Sequence, residues 1–165
     1  MDEGVELGPL CTAKRLEEIE KLVETTKKEG AKVLMGGKRP SGFNKGFYYE
    51  PTVFDKVEDN FTIMKEEPFG PLVPMLAFKT FDEVIERAND NDLGLCSYLY
   101  TNSMDKANRG SELLETGCVA VNTGAVAIAE APFGGIKQTG YGREGGSMAI
   151  KDYLNVKYTH MALKA

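Results

Sequence analysis

The sequence predicts an α/β fold, a mostly parallel sheet flanked by helices. Strand-like and helix-like segments follow one another between residues 72 and 121 in the order strand, helix, strand, helix, strand, with short links. Parallel strands need a crossover connection, usually a helix, so this order indicates right-handed crossovers within one sheet. The 165 residues, 42% hydrophobic and 27% charged, are enough for a domain with its own core.

The first half of the chain is predicted to contain one long helix and several short strands. Thr12 is placed to cap a helix that runs to about Glu29, and Gly30 ends it. Strands are expected over residues 32–35, 47–54 and 72–78. The last two contain prolines, which place them at an edge or a bend of a sheet.

Helix caps and glycines divide the second half into shorter elements. Thr80 and Glu83 form a capping box that opens a helix ending in residues 89–94. Asn102 or Ser103 is expected to cap a second helix. The remaining predicted elements are strands over residues 95–100 and 118–121, a helix over 147–153 and an alternating strand over 156–163.

Composition and charge exclude several classes of function. The net charge of −5 argues against nucleic acid and anionic membranes as partners, since both need clustered Lys and Arg. Cys11, Cys96 and Cys118 contain no C-x-x-C pair, which fits a reducing compartment and inert thiols. His160 is the only histidine and has no partner ligands at metal-binding spacing, so no metal site is expected. No signal peptide or membrane-spanning run is visible, and a cytoplasmic location is expected.

The loop over residues 122–147 is the place where chemistry is expected, because loops of roughly 25 residues inside compact domains are more often functional than idle. Within it, the segment from Gly140 to Gly145 matches the dinucleotide fingerprint G-x-G-x-x-G. That fingerprint needs a strand before it, a helix after it and an acidic residue about 20 positions later. A loop precedes it here and the final dozen residues contain no Asp or Glu, so the match is rejected. Lys137 and Arg143 are interpreted as loop charges or carboxylate partners.

A second feature is the turn Glu66-Glu67-Pro68-Phe69-Gly70-Pro71. Two prolines restrict their own φ angles and the residues before them, so Glu67 is held on a stiff elbow. A carboxylate in such a position can accept two hydrogen bonds from a vicinal diol such as ribose. Phe69 would add an apolar wall for a planar ring. For Phe133, in Ala131-Pro132-Phe133-Gly134-Gly135, simple core packing is an equal alternative.

These motifs, in this order, resemble part of the aldehyde dehydrogenase family. The resemblance extends from Gly8-Pro9-Leu10 to about Lys157 and corresponds to the carboxyl-terminal third of those enzymes. Asn122-Thr123-Gly124, together with residues 135–145, is most similar to the succinate-semialdehyde dehydrogenases, which use NAD or NADP. The resemblance implies a domain portion over residues 1–153 and an oligomerisation strand over 154–165.

The resemblance also implies roles for individual residues. Glu67 corresponds to the carboxylate that binds the nicotinamide ribose, and Phe69 to the aromatic ring beside the nicotinamide. Phe133 corresponds to a wall of the aldehyde channel, and Ala125 and Ala127 to its mouth. A serine is usual at the position of Ala127 in succinate-semialdehyde enzymes, where it helps hold the substrate carboxylate, so a less polar aldehyde is an alternative.

The family's catalytic cysteine, general-base glutamate and nucleotide-binding domain have no counterpart in this sequence. The isolated chain is therefore expected to be inactive, to bind no NAD or NADP by itself, and to act on a small aldehyde only as part of a complete enzyme. A homo-oligomer is the expected assembly. The alternative from another class is a non-catalytic truncated module that self-associates or binds an intact relative. An independent nucleotide-binding protein built on the Gly140 loop is the third hypothesis.

Overall fold

The computed structural model describes residues 4–43 and 45–163, and its contacts divide the chain into two compact units with the boundary between Phe78 and Lys79. The first unit contains α1 (Ala13–Glu29), β1 (Lys32–Met35), β2 (Thr52–Asp55), α2 (Thr62–Lys65) and β3 (Leu72–Pro74). The second contains α3 (Phe81–Asn89), β4 (Leu93–Gly94), β5 (Cys96–Leu99), α4 (Met104–Leu113), β6 (Cys118–Val121), β7 (Ile136–Lys137) and a 3-10 helix, Ala149–Tyr153.

Helix α1 begins and ends where its sequence signals predict. The Thr12 hydroxyl accepts a hydrogen bond from the Arg15 backbone N–H at 3.1 Å, and Gly30 closes the helix with a left-handed φ of 117°. The predicted apolar face is buried and comprises Leu16, Ile19, Leu22 and Val23. Its burial against the sheet supplies most of the helix's stability, because isolated helices of this length are marginal in water.

The first unit is built on a three-stranded sheet in the order β1-β2-β3. Central strand β2 pairs antiparallel with β1 and parallel with β3. Thr52 and Phe54, on the face of β2 that packs into the core, are fully buried. Pro74 lies on edge strand β3, as its missing N–H predicts. Around α1 and β2 the core also contains Ala31, Tyr49, Val57, Phe61, Ile63 and Leu72.

The second unit contains the one crossover that follows the prediction. Strands β5 and β6 are parallel neighbours, and α4 connects them. Of the two predicted caps, Ser103 is the one used, since its hydroxyl accepts a hydrogen bond from the Lys106 N–H. Helix α4 packs on α3, where the Arg109 guanidinium lies 2.9 Å from the Asp82 carboxylate and 5.0 Å from the centre of the Phe81 ring.

The mixed α/β content is confirmed, but the single, mostly parallel sheet is wrong. Within residues 4–43 and 45–163 the strands form three small sheets, and two of the four strand pairs found there are antiparallel, β1 with β2 and β4 with β7. The alternation of elements indicates what each segment is, but not which neighbour it pairs with. Strand β7 falls inside the segment expected to be irregular, and it takes β4 as its partner. Helix α2 was not predicted either.

The last ten described residues form no helix or strand. The strand predicted over residues 156–163 is absent within the chain, where these residues are exposed. A strand requires a hydrogen-bonded neighbour, and none of the described residues supplies one here. The predicted oligomerisation segment therefore stays a prediction, as does the domain division at residue 153. None of the helices within residues 4–43 and 45–163 could span a membrane.

Candidate functional site

The predicted elbow follows helix α2 directly. Glu66, the residue after the helix, has extended backbone angles, φ −100° and ψ 126°. The Gly70 N–H donates to the Pro68 carbonyl at 2.6 Å, and the Thr52 N–H of β2 donates to the Pro71 carbonyl at 2.8 Å. The first bond lies within the turn, and the second joins its carboxyl end to the central strand β2. At its amino end the Glu66 N–H donates to the Thr62 carbonyl of α2 at 3.0 Å.

Gly70 brings the elbow into close contact with α1. A Cβ atom at this position would lie 2.4 Å from the Ile19 Cδ1 atom, closer than side-chain atoms approach one another. Ile19 is itself almost completely buried in the core. The turn therefore cannot tilt toward α1, and a larger residue at position 70 would displace it.

Glu67 is exposed and lines an open groove of about 390 Å³ between the elbow and α1. The groove is polar and of mixed charge, with Arg15, Glu18 and Lys21 contributed by α1. No contact with its own core removes the Glu67 carboxylate from solvent. A fixed, accessible carboxylate is what recognition of a sugar diol requires.

Phe69 is an unusual surface residue, since 67% of its side chain is exposed. The Arg15 guanidinium lies 5.9 Å from the centre of the ring, at the outer limit of a cation–π contact. A large, exposed aromatic ring on this elbow is available to pack against a ligand or another segment of protein. Glu67 and Phe69 thus lie together on one elbow.

The long loop of the second unit starts at Asn122, which the sequence analysis named only as part of the Asn122-Thr123-Gly124 motif and without a structural role. Asn122 has a left-handed φ of 56°. Its side-chain amide donates to the Thr101 carbonyl at 2.9 Å and accepts from the Thr101 N–H at 2.9 Å. The side chain thereby continues the β5–β6 ladder by one step, and it sets the direction of the loop that follows. The available signal was the tolerance of Asn for left-handed backbone.

Ala125 and Ala127, which follow the Asn122–Thr101 hydrogen bonds along the chain, are both exposed. The Ala125 N–H donates to the Thr123 hydroxyl. Phe133 is half-buried, and its backbone pairs with that of Glu144 through two hydrogen bonds of 2.7 Å. Phe133 lines a pocket of about 360 Å³, whose lining includes neither alanine. The structure therefore places the three predicted channel residues on one loop, but only Phe133 in a pocket.

Lys137 and Arg143 hold the loop together. The Lys137 ammonium contacts the Glu115 carboxylate at 2.7 Å and the carbonyls of Asn89 and Asn91 at 2.8 and 3.0 Å. The Arg143 guanidinium donates to the carbonyls of residues 135, 141 and 142. The Lys137 ammonium and one guanidinium nitrogen of Arg143 are thus each surrounded by three acceptors, which agrees with their interpretation as structural charges. The Gly140–Gly145 segment follows β7, a strand of two residues, by a turn, and precedes only a short 3-10 helix.

Metal-binding and nucleophilic groups are sparse. No group of three or more His, Cys, Asp or Glu residues suited to a metal ion occurs in the part of the chain that the structure describes. The three cysteines are free thiols. Burial and the neighbouring Cys118 raise the pKa of the Cys96 thiol, which keeps it protonated at neutral pH.

Comparison with known proteins identifies the family. The sequence profile of the aldehyde dehydrogenase family matches residues 1–159. The chain belongs to the aldehyde dehydrogenase family. The elbow and the long loop are accordingly features of an aldehyde dehydrogenase chain, and the expectation of that family from the sequence is confirmed.

Relatives of this aldehyde dehydrogenase chain have different names and substrates. A mitochondrial succinate-semialdehyde dehydrogenase of Arabidopsis thaliana is 43% identical over 94% of the chain and 29% of its own length. Human retinaldehyde dehydrogenase 3 is 45% identical over 94% of the chain and 30% of its own length. An aldehyde dehydrogenase of Bacillus cereus, solved as an NAD+ complex, superimposes with a TM-score of 0.91 at 43% identity over 95% of the chain and 32% of its own. The chain thus spans about a third of the proteins that it matches.

Proposed function

We propose that this chain is the carboxyl-terminal part of the catalytic domain of an NAD(P)-dependent aldehyde dehydrogenase, and that it completes a site whose bond-making groups lie on other polypeptide. The observation that carries the proposal is the exposed Glu67 carboxylate on a turn that follows α2 directly and is bonded to β2 at its carboxyl end. A carboxylate buried against its own core would have been incompatible with this role.

The residues of the elbow fit a nicotinamide nucleotide. When bound, that nucleotide accepts the hydride in aldehyde oxidation. In our proposal the Glu67 carboxylate accepts hydrogen bonds from the nicotinamide ribose hydroxyls, and the Phe69 ring packs beside the nicotinamide. Phe133, Ala125 and Ala127 line the aldehyde channel.

We propose succinic semialdehyde as the substrate, on the similarity of residues 122–124 and 135–145 to enzymes of that type. A less polar aldehyde is the second candidate. Ala127 supplies no hydroxyl for a substrate carboxylate, and its neighbour Ile128 is exposed, so this part of the loop presents an apolar surface. A relative of the chain that is named for an apolar aldehyde, human retinaldehyde dehydrogenase 3, supports this second candidate.

We also propose that the isolated chain has no dehydrogenase activity and binds no nucleotide on its own. None of its three cysteines lies beside a histidine or another base among the described contacts, so no activated nucleophile is present. Purified chain that oxidised succinic semialdehyde with NAD or NADP would overturn this part directly.

The test of the cofactor role is complementation. The chain is mixed with a polypeptide that carries the remaining two thirds of a relative, and turnover of succinic semialdehyde and of a long apolar aldehyde is compared. If activity is restored, we expect Glu67→Gln to raise the KM for NAD(P) at least tenfold, because one buried charge-assisted hydrogen bond contributes about 1.5–3 kcal/mol. Glu66→Gln is the matched control and should leave that KM unchanged. Equal effects of the two substitutions would refute the assignment of Glu67.

The second candidate function is a self-associating module, and the exposed apolar side chains near the end of the chain favour it. They are Tyr153, Leu154, Val156, Tyr158, Met161 and Leu163. Burial of such a segment as a strand beside another chain would satisfy its backbone and remove apolar surface from water. Sedimentation velocity over a hundredfold concentration range tests this, and a strictly monomeric chain would exclude it. A cytoplasmic location stays a prediction.

A further inference from the structure

Two of the three cysteines face each other across the parallel strands β5 and β6. Cys96 is the first residue of β5, Cys118 is the first residue of β6, and the two are direct partners in the register. Register partners on neighbouring strands project their side chains to the same face of the sheet. The two thiols were treated separately in the sequence, where 21 residues lie between them.

The spacing of the strands suits a disulfide bond. Neighbouring strands lie roughly 4.7–4.9 Å apart, and this spacing falls within the range of about 4.4–6.8 Å over which disulfides usually join Cα atoms. The bond also needs Cβ atoms at about 3.8 Å, which a small adjustment at the ends of two four-residue strands can supply. Both cysteines occupy the first position of their strands, where the ladder is least constrained.

Neither thiol is held in a disulfide bond, so both can react. Both side chains are half-buried, and both are free. The Cys118 thiol makes a weak contact with the Gly134 carbonyl at 3.7 Å. Burial and the neighbouring Cys118 thiol raise the pKa of the Cys96 thiol. Cys11 is an exposed residue of the first unit and has no part in the β5–β6 register that defines the pair.

We propose that Cys96 and Cys118 form a reversible intramolecular disulfide when the chain meets a peroxide. Because the raised pKa disfavours the thiolate of Cys96, Cys118 is the attacking residue. Its thiolate attacks a peroxide oxygen, which breaks the O–O bond and gives a sulfenic acid and hydroxide. The sulfur of the second cysteine then attacks the sulfenic sulfur, the S–O bond breaks, and the hydroxyl leaves with a proton as water. Overall, two thiols lose two electrons and two protons, and one hydrogen peroxide becomes two waters.

The bond would join the starts of β5 and β6 and close a loop that contains α4. A crosslink formed between strands in this way is expected to be readily reduced, because neighbouring strands do not present the ideal geometry and strained disulfides are the labile ones. The pair would then behave as a redox-sensitive site and not as a permanent structural bond.

The experiment uses the purified chain as it is. Native chain is treated with a small excess of hydrogen peroxide, quenched, and its thiols are counted in denaturant with a chromogenic disulfide reagent. We expect the count to fall from three to one, the mass to fall by about 2 Da, and digestion to yield one peptide linking residues 96 and 118. Dithiothreitol should restore all three thiols.

Substitutions separate this pairing from general thiol oxidation. In the Cys11→Ser variant, peroxide should lower the thiol count from two to zero, and digestion should yield the same linked peptide. Cys96→Ser and Cys118→Ser should form no intramolecular crosslink and should instead gain oxygen at the remaining partner. A chain denatured before treatment should give mixed pairings. The proposal is overturned if native chain retains all three thiols, gains oxygen without crosslinking, or yields a linkage that includes Cys11.

Discussion

Replacement of Gly117 by alanine should destabilise the second unit more than any surface substitution. Gly117 lies just before β6, where its N–H donates to the Gly94 carbonyl at 3.0 Å. Its α-carbon faces the backbone of Gly134 and Gly135, in the same segment as Phe133. A Cβ atom at this position would lie 1.8 Å from the Gly134 oxygen and 2.8 Å from the Gly134 carbonyl carbon.

The expected loss of folding free energy follows from the overlap between the added Cβ atom and the Gly134 backbone. Real Cβ atoms essentially never approach closer than 3.0 Å, and the obstacle is backbone, which cannot rotate away as a side chain does. The two segments must therefore separate by about 1.2 Å, and overpacking of this kind costs about 1–3 kcal/mol. Weakening of the bond to Gly94 adds about 1 kcal/mol, for a total near 3 kcal/mol.

Urea unfolding followed by circular dichroism measures this cost. With a denaturant slope of about 2 kcal/mol/M, the midpoint of Gly117→Ala should fall by roughly 1.5 M. Gly124→Ala is the matched control, because Gly124 has no atom within 4 Å of an added Cβ and no positive φ. That variant should keep its stability or gain about 0.4–1 kcal/mol. A Gly117→Ala midpoint equal to the control's would refute the close backbone packing on which the Phe133 segment depends.

Three further predictions concern caps and charges. Thr12→Ala should lower the free energy of unfolding by about 1 kcal/mol through loss of the α1 cap, measured by urea unfolding. Glu20→Gln should remove stability near neutral pH, and this difference should shrink as the pH falls from 4.5 through the lowered pKa of folded Glu20, measured by thermal unfolding against pH. The Arg39 guanidinium lowers the pKa of Glu20, so the unfolded state takes up the proton first, and the contribution present above pH 4.5 is lost as the pH falls. Lys137→Met should cost about 1–3 kcal/mol, measured by urea unfolding, because the Glu115 carboxylate and two carbonyls lose their donor.

Each of these predictions has its own control. Thr12→Ser should retain nearly full stability, since its hydroxyl can still accept the Arg15 N–H. Glu112→Gln, at an exposed carboxylate of α4, should leave the pH profile parallel to that of the original chain. Lys137→Arg keeps the charge, so it should lose less stability than Lys137→Met. A pH profile of Glu20→Gln that stays parallel to the original chain down to pH 3 would contradict the linkage to Arg39.

Local signals in the sequence predicted most of the helices and strands. Thr12, Thr80 and Ser103 cap their helices as expected because a cap depends on residues within one turn of it. The Glu83 side chain also reaches back and accepts a hydrogen bond from the N–H of Lys79, the residue before the cap, as a variant of the predicted capping box. These contacts join residues no more than four positions apart, which is why sequence pattern alone could identify them.

Strand pairing could not be predicted in the same way. The pairs β1–β2 and β4–β7 depend on contacts between distant segments, and the sequence of one strand does not indicate which strand it pairs with. Strand β7 also has only two residues. The same holds for the candidate site. The Glu67 elbow was recognisable because proline restricts its own neighbours, but its contact with Ile19 was not. That Cys96 and Cys118 are partners in the register is evident only from the pairing of β5 with β6.

The sequence by itself determined the family, the capped starts of α1, α3 and α4, and the stiff turn that bears Glu67, because each of these rests on neighbouring residues or on motifs in linear order. Only the tertiary structure decided that Glu67 is accessible, that Lys137 binds two carbonyls and a carboxylate across the loop, and that two cysteines meet across β5 and β6. The physical reason is that burial and side-chain partners are set by contacts between segments far apart in the chain, and the energies of such contacts are not properties of any one segment.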